Sequence, residues 1–288
     1  MSWTNYHSHC NYCDGAVPPA NYAAEALAQG LKAYGFSSHV PLPFPARWSM
    51  KRENMENYLA EIKILRDIYQ ERGLQIYAGL EVDFIPDVIG PQSSFVQEAK
   101  LDYTVGSVHF VDAFPDGRPW EMDGPTTLFK EGLDQIFHND IQALVRRYFG
   151  LTRQMVQEQC PDIIGHLDKI KMQNKPEFLF SEEADWYRAE LLQTLDVIAA
   201  FGAIVEVNTR GLYQNKTVEV YPSRWVLKEM HQRQIPVTLS SDAHKPTEVA
   251  RFFEQAAEVL QEVGYTHLRV LWNNTWQDLP FTLQGIQF

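Results

Sequence analysis

Cysteine is scarce. The 288-residue chain has three, an odd number too small for a disulfide framework, which favours the cytoplasm as its compartment. Cys10 and Cys13 form a C-x-x-C, but a zinc ribbon needs a second pair and only Cys160 remains. The two read as small loop residues. No run reaches the roughly 20 apolar residues of a membrane helix. The first residues show no basic stretch leading into an apolar one, so no signal peptide is visible. Basic side chains are also few: 25 Lys and Arg face 37 Asp and Glu, a net charge of −12. That balance excludes a broad nucleic-acid or anionic-membrane footprint. It leaves room for a local positive site built from bound metal ions. Neither G-x-G-x-x-G nor G-x-x-x-x-G-K-[ST] occurs, so a dinucleotide fold and a P-loop lack support.

What is present is alternation. Apolar, β-branched runs take turns with amphipathic stretches, at 45% hydrophobic content. Residues 3–9 read as a first strand, 21–33 as a helix, 34–39 as a strand and 52–72 as a long helix stopped by Gly73. The pattern continues with strand 74–81, helix 91–99 and strand 102–109. A long acidic connection, 111–130, follows. Then come helix 138–159, strand 162–166, helix 182–201, strand 203–208, helix 222–234, strand 236–241, helix 246–263 and a last strand at about 267–272. Seven or eight βα units in series predict a parallel sheet with crossover helices. At this length the expected form is a single-domain (β/α) barrel over residues 1–288, with a doubly wound open sheet as the alternative.

The chain has nine histidines. Six of them, with three acidic residues, fall at or just beyond the C-terminal end of a predicted strand. These are His7, His9, Asp14, His39, Glu81, His109, His166, Asp242 and His244. In a barrel those ends share one face, where the active sites of this fold lie. His7-x-His9 and Asp242-x-His244 are spaced by two, so both side chains of each pair point the same way on an extended strand. Imidazole with carboxylate suits zinc, iron or manganese. Nine ligands exceed what one zinc takes, so two or three divalent ions are expected. His138 and His231 fall on predicted helices and His267 starts the last strand; all three are expected outside the site.

In order and over nearly the whole chain, His7-Ser-His9, Asp14, Ser-Ser-His39, Gly-Leu-Glu81-Val-Asp, Gly-Ser-Val-His109, Gly-His166-Leu-Asp and Ser-Ser-Asp242-Ala-His244 resemble the polymerase-and-histidinol-phosphatase (PHP) superfamily. Glu81-Val-Asp-Phe, the long segment after His109, Glu206-Val-Asn208-Thr-Arg-Gly211-Leu and Tyr221-Pro resemble its histidinol-phosphatase branch. The resemblance implies a distorted (β/α)7 TIM-like barrel with a trinuclear metal centre. One ion would take His7, His9, Glu81 and Asp242. A second would share Glu81 and add His109 and His166. A third would take Asp14, His39 and His244, with Asp14 standing where many relatives carry histidine.

Such a centre implies a phosphomonoesterase. Clustered cations neutralise phosphoryl oxygens and lower the pKa of a bound water. Asp242 is the candidate to handle that water's proton. Arg210, Lys171 and Arg47 are candidates to hold the phosphate. Histidinol phosphate is the expected substrate, and Asp112, Asp116, Glu121 and Asp123 are candidates to attract its ammonium and imidazole. Another small phosphate ester or nucleotide, a metal-dependent amidohydrolase and a non-catalytic metal-binding module are the alternatives. An amidohydrolase typically has a bridging lysine at the end of strand four, where this chain has His109. A small phosphorylated partner is expected, with no long nucleic acid and no membrane.

Overall fold

The structure, a computed structural model, describes residues 2–174 and 179–288. The elements run β1 (Thr4–Asn5), α1 (Pro19–Ala28), β2 (Ala33–Phe36), α2 (Met55–Gln70), β3 (Gln75–Asp83), α3 (Ser94–Glu98) and β4 (Tyr103–Ser107). Then come β5 (Phe110–Ala113), β6 (Pro119–Glu121), α4 (Thr126–Gln135), α5 (Ile141–Gln159), β7 (Ile163–Ile164), α6 (Asp185–Phe201), β8 (Ile204–Asn208) and α7 (Arg210–Tyr213). The chain ends with α8 (Arg224–Gln232), β9 (Val237–Ser240), α9 (Phe253–Val263), β10 (His267–Trp272), β11 (Thr275–Thr282) and β12 (Gly285–Ile286).

Seven strands form one parallel sheet in the order β1-β2-β3-β4-β7-β8-β9, a nearly closed barrel with helices outside. Each helix is held by one apolar face. On α2, Met55, Tyr58, Ile62, Leu65 and Tyr69 are buried at helical spacing, each worth roughly 1.5–3 kcal/mol once removed from water. The strands are apolar on both faces because the interior layer lies on one side and the helices on the other. No helix among the described residues is long and apolar enough to cross a membrane.

Closure is completed just beyond the strands. Ser8 bridges Ala243 in parallel register, with His9 N donating to Ala243 O at 2.8 Å and Ala243 N to His7 O at 3.3 Å. Inside, Asn5 Nδ2 donates to Ser241 Oγ at 2.8 Å and to Val249 O at 2.9 Å. The seam of the barrel is therefore made by the two segments that carry His7, His9, Asp242 and His244.

Three regions depart from the expected pattern. The 111–130 connection is not irregular: β5 and β6 form an antiparallel hairpin, and α4 begins at Thr126. Its turn holds Asp116-Gly117, with Gly117 at φ 85°, a conformation easily reached without a Cβ. Trp120 of this hairpin is fully buried against Phe129 and Phe137. A Cβ on Gly132 would lie 2.0 Å from the Trp120 ring, so α4 needs glycine there. The helix expected from residue 138 begins at Ile141, because His138 and Asn139 take positive φ and Asp140 caps the first turn through Ala143 N at 3.0 Å. Finally, β10 is no eighth barrel strand. The Asn273-Asn274 turn, both residues at positive φ, sends the chain back as β11 in an antiparallel sheet with β12. Ile286 N then donates to Ser2 O at 2.9 Å, which ties the two ends of the chain together.

Candidate metal centre

All nine residues singled out at strand ends meet at the C-terminal end of the barrel. Glu81 is central. Its Oε2 lies 3.2 Å from His7 Nε2, 3.4 Å from His9 Nε2 and 3.0 Å from His39 Nδ1. Its Oε1 lies 3.0 Å from His166 Nε2 and 3.5 Å from His109 Nε2, and accepts from Ser107 Oγ at 2.7 Å. Asp242 Oδ1 lies 3.3 Å from His9 Nε2 and 3.5 Å from His244 Nδ1, and Asp14 Oδ2 lies 3.2 Å from His244 Nε2. Donor atoms cluster as His7, His9 and Asp242; as Glu81, His109 and His166; and as His9, Asp14, His39 and His244. A further group, His39, Asp83 and His109, shares two of the same rings.

The electrostatics suit cations. Buried and without a hydrogen-bond partner are His7 Nε2, His9 Nε2 and His39 Nδ1. Burial, reinforced by the neighbouring His244, takes the His9 pKa down to about 4. Burial takes His39 down to about 3 against the pull of Glu81. Burial opposes ionisation of Glu81 and Asp242, but the histidines around them hold both carboxyls well below the usual range. Despite burial, the carboxylates around them raise His7 well above the usual imidazole range and His109 to about 9. Neutral His9 and His39 rings beside ionised carboxylates, with His7 and His109 held to those carboxylates, make a donor set that fits zinc, iron or manganese. Asp242 sits at φ 51°, a left-handed conformation that asparagine and aspartate adopt most readily after glycine.

Above the cluster lies a cavity of about 160 Å³. Among the described residues, three cations border it: Lys169, Arg210 and Lys216. Arg210 Nη1 donates to Asp242 O at 2.8 Å and lies 2.7 Å from His244 Nδ1. Lys169 Nζ lies 2.7 Å from Asp123 Oδ2 and 3.2 Å from His109 Nε2. Trp48, Glu121 and Asp123 also line it, Asp123 beside Lys169.

Two expected phosphate contacts are elsewhere. Lys171 is turned away from the cavity and buried, 2.9 Å from Asp168 Oδ2 and donating to Ser223 Oγ at 2.6 Å. Arg47 is exposed and does not line the cavity, whereas its neighbour Trp48 does. Of the acidic residues in the long connection, Asp112 faces Arg147 and Asp116 pairs with Arg118 at the surface; only Glu121 and Asp123 reach the site. The sequence reading missed Lys169, Lys216, Trp48 and Asp83. Asp83 was within reach of the spacing rule, since it follows Glu81 by two on one strand and accepts from His109 Nδ1 at 2.8 Å. His138, His231 and His267 are exposed and outside the cluster. Cys10 and Cys13 are unpaired thiols in the loop after β1, and Cys13 Sγ lies 3.5 Å from His9 Nδ1.

A parallel barrel with this donor cluster at its C-terminal face defines a PHP-type protein. Residues 5–210 match the PHP domain, and the chain belongs to that family. A Deinococcus radiodurans protein named "Probable histidinol-phosphatase" is 32% identical over 265 residues, covering 90% of this chain and 92% of the relative. The histidinol-phosphatase of Bacillus subtilis is 28% identical over 267 residues, covering 88% and 97%. Among solved structures, the histidinol phosphate phosphatase HisK of Lactococcus lactis, complexed with zinc, L-histidinol and phosphate, matches at TM-score 0.67 and 20% identity, over 100% of this chain and 99% of its own. The HisK protein of Listeria monocytogenes matches at TM-score 0.75 and 17% identity, over 88% and 99%. At those identities the likeness is one of fold.

Proposed function

We propose that this chain is a metal-dependent phosphomonoesterase that converts L-histidinol phosphate and water to L-histidinol and phosphate. The observation that carries the reading is the set of eight donor residues around Glu81, at the floor of a cavity bordered by Lys169, Arg210 and Lys216. Full-length similarity to proteins named histidinol-phosphatase supports the substrate. The reading takes residues 1–288 as one catalytic domain, in keeping with a single core that runs from Trp3 to Ile286.

His7, His9, Glu81 and Asp242 would hold one ion. His109 and His166 would hold a second with Glu81, and Asp14, His39 and His244 would hold a third. Divalent zinc, iron or manganese there supplies charge neutralisation and an acidified water. The protein does the rest. Arg210, Lys169 and Lys216, which line the cavity, bind phosphoryl oxygens. Asp242, ionised and facing the cavity, takes the proton of the attacking water. Trp48 and Glu121, which line the same cavity, receive the cationic end of the substrate.

The test is kcat/KM on L-histidinol phosphate beside p-nitrophenyl phosphate and a simple amide, with added Zn²⁺, Mn²⁺ or Fe²⁺. A strong preference for L-histidinol phosphate is expected. Equal turnover of both phosphate esters would leave a general phosphomonoesterase. Faster turnover of the amide would move the chain to amidohydrolase chemistry.

A further inference from the structure

The Glu206-Val-Asn208 segment of β8 lines no part of the cavity, yet its two polar side chains are fully buried directly beneath the donor cluster. Glu206 and Asn208 are two apart on one strand and so share its inward face. Every acceptor of Glu206 is used. Oε2 accepts from His7 Nδ1 at 2.8 Å. Oε1 accepts from the backbone N–H of His166 at 2.6 Å and from Asn208 Nδ2 at 2.8 Å. Asn208 passes the restraint on, since its Oδ1 accepts from Arg210 N at 2.8 Å and its Nδ2 lies 3.4 Å from Asp242 Oδ2.

We infer that Glu206 is a positioning residue: it fixes the tautomer of His7 and the backbone of His166, two side chains read above as ligands of different ions. A carboxylate has no proton of its own, so His7 must carry its proton on Nδ1 to make this bond. In the neutral ring that a cation requires, Nε2 is then bare, and it is the atom 3.2 Å from Glu81 Oε2 with no hydrogen-bond partner. A carboxylate behind a metal-bound imidazole fixes ring orientation and raises the basicity of the ligating nitrogen. Asp83 makes the same bond to His109 Nδ1 at 2.8 Å, but touches one ring only. Glu206 differs in tying two parts of the cluster to one group.

The inference rests on His7 being a metal ligand and is independent of the substrate. Glu206→Gln keeps the shape and replaces one oxygen by an NH2. With the amide oxygen kept toward His166 N and Asn208 Nδ2, the NH2 faces His7 Nδ1 and drives the ring proton to Nε2. The experiment loads ¹⁵N-histidine-labelled wild type and Glu206→Gln with zinc, reads the two-bond ¹⁵N–¹H pattern of His7, and titrates zinc against a competing chelator. Wild type should show a protonated Nδ1 and a proton-free Nε2 on His7. The variant should bind zinc roughly 10–100-fold more weakly, with an unchanged circular dichroism spectrum. Zinc affinity equal to wild type in a folded variant overturns the inference. So does a proton on His7 Nε2 in wild type, a readout that stands even where the variant fails to fold. Wild type that binds no zinc overturns the metal reading itself, and the inference with it.

Discussion

Among the described residues, Arg210→Ala removes the cavity-lining guanidinium while leaving all nine donor residues in place. The side chain is 21% exposed, and Nη1 donates to Asp242 O. A charge-assisted hydrogen bond to a phosphoryl oxygen is worth about 1.5–3 kcal/mol, which converts to roughly a 10–150-fold loss in kcat/KM. The phosphate carries its charge in both ground and transition states, so most of the loss should fall on KM. Arg210 also braces the turn that holds Asp242. Losing that charge-assisted contact loosens the turn by about 1.5–3 kcal/mol of local stability, and kcat should fall less than KM rises. The assay is steady-state kinetics with the inhibition constant of inorganic phosphate measured beside it, since phosphate reports ground-state binding alone. Lys171→Ala is the control. It breaks a buried pair with Asp168 at 2.9 Å, which costs about 3–5 kcal/mol of stability, and it should lower Tm while leaving KM and phosphate inhibition as they are. An Arg210→Ala enzyme with unchanged KM and phosphate inhibition but a collapsed kcat would refute the phosphate role and leave Arg210 as a brace.

Asp242→Asn should lower kcat by several orders of magnitude with a smaller effect on KM, because a carboxamide ligates cations poorly and cannot take a proton; equal, small changes in both would count against it. His138→Gln, His231→Gln and His267→Gln should each keep near-full activity, and any one as damaged as His109→Ala breaks the division into six site histidines and three bystanders. Metal-stripped protein should be most stable near pH 6.5, as read by Tm from pH 4 to 9. His9 and His39 are depressed to about 4 and 3 by burial, so their unfolded forms bind the extra protons below 6.5 and stability is lost as pH drops through that range. His109 runs the other way: burial and Lys169 lower it, but Asp83, Asp123 and Glu81 raise it to about 9, so its contribution is complete below 6.5 and is lost as pH climbs through 9. A Tm flat across that range would refute these assignments.

The donor residues were legible because this barrel's strand order follows its sequence order. Every strand end therefore opens on the same rim, and a histidine there needs no further information to be placed. Arg210 was legible beside strand six, but Lys169 was not, for an equally local reason. Lys169 and Lys171 are two residues apart, which on a strand would mean one face. They lie instead on a 3₁₀ turn, Lys169–Asn174, where two steps rotate a side chain by about 240°. One lysine thus reaches the cavity while the other is buried against Asp168 and Ser223. The hairpin and the C-terminal sheet were hidden in Asp116-Gly117 and Asn273-Asn274, turn dipeptides inside stretches read for βα alternation. What joins fold and site most tightly is the seam. Residues 7–9 and 242–244 are more than 230 positions apart, and each pair of side chains points inward only because Ser8 and Ala243 bridge between them. The backbone bonds that close the barrel are the ones that bring His7, His9, Asp242 and His244 to one place. Loosening that seam would open the barrel and scatter these four donors in a single step.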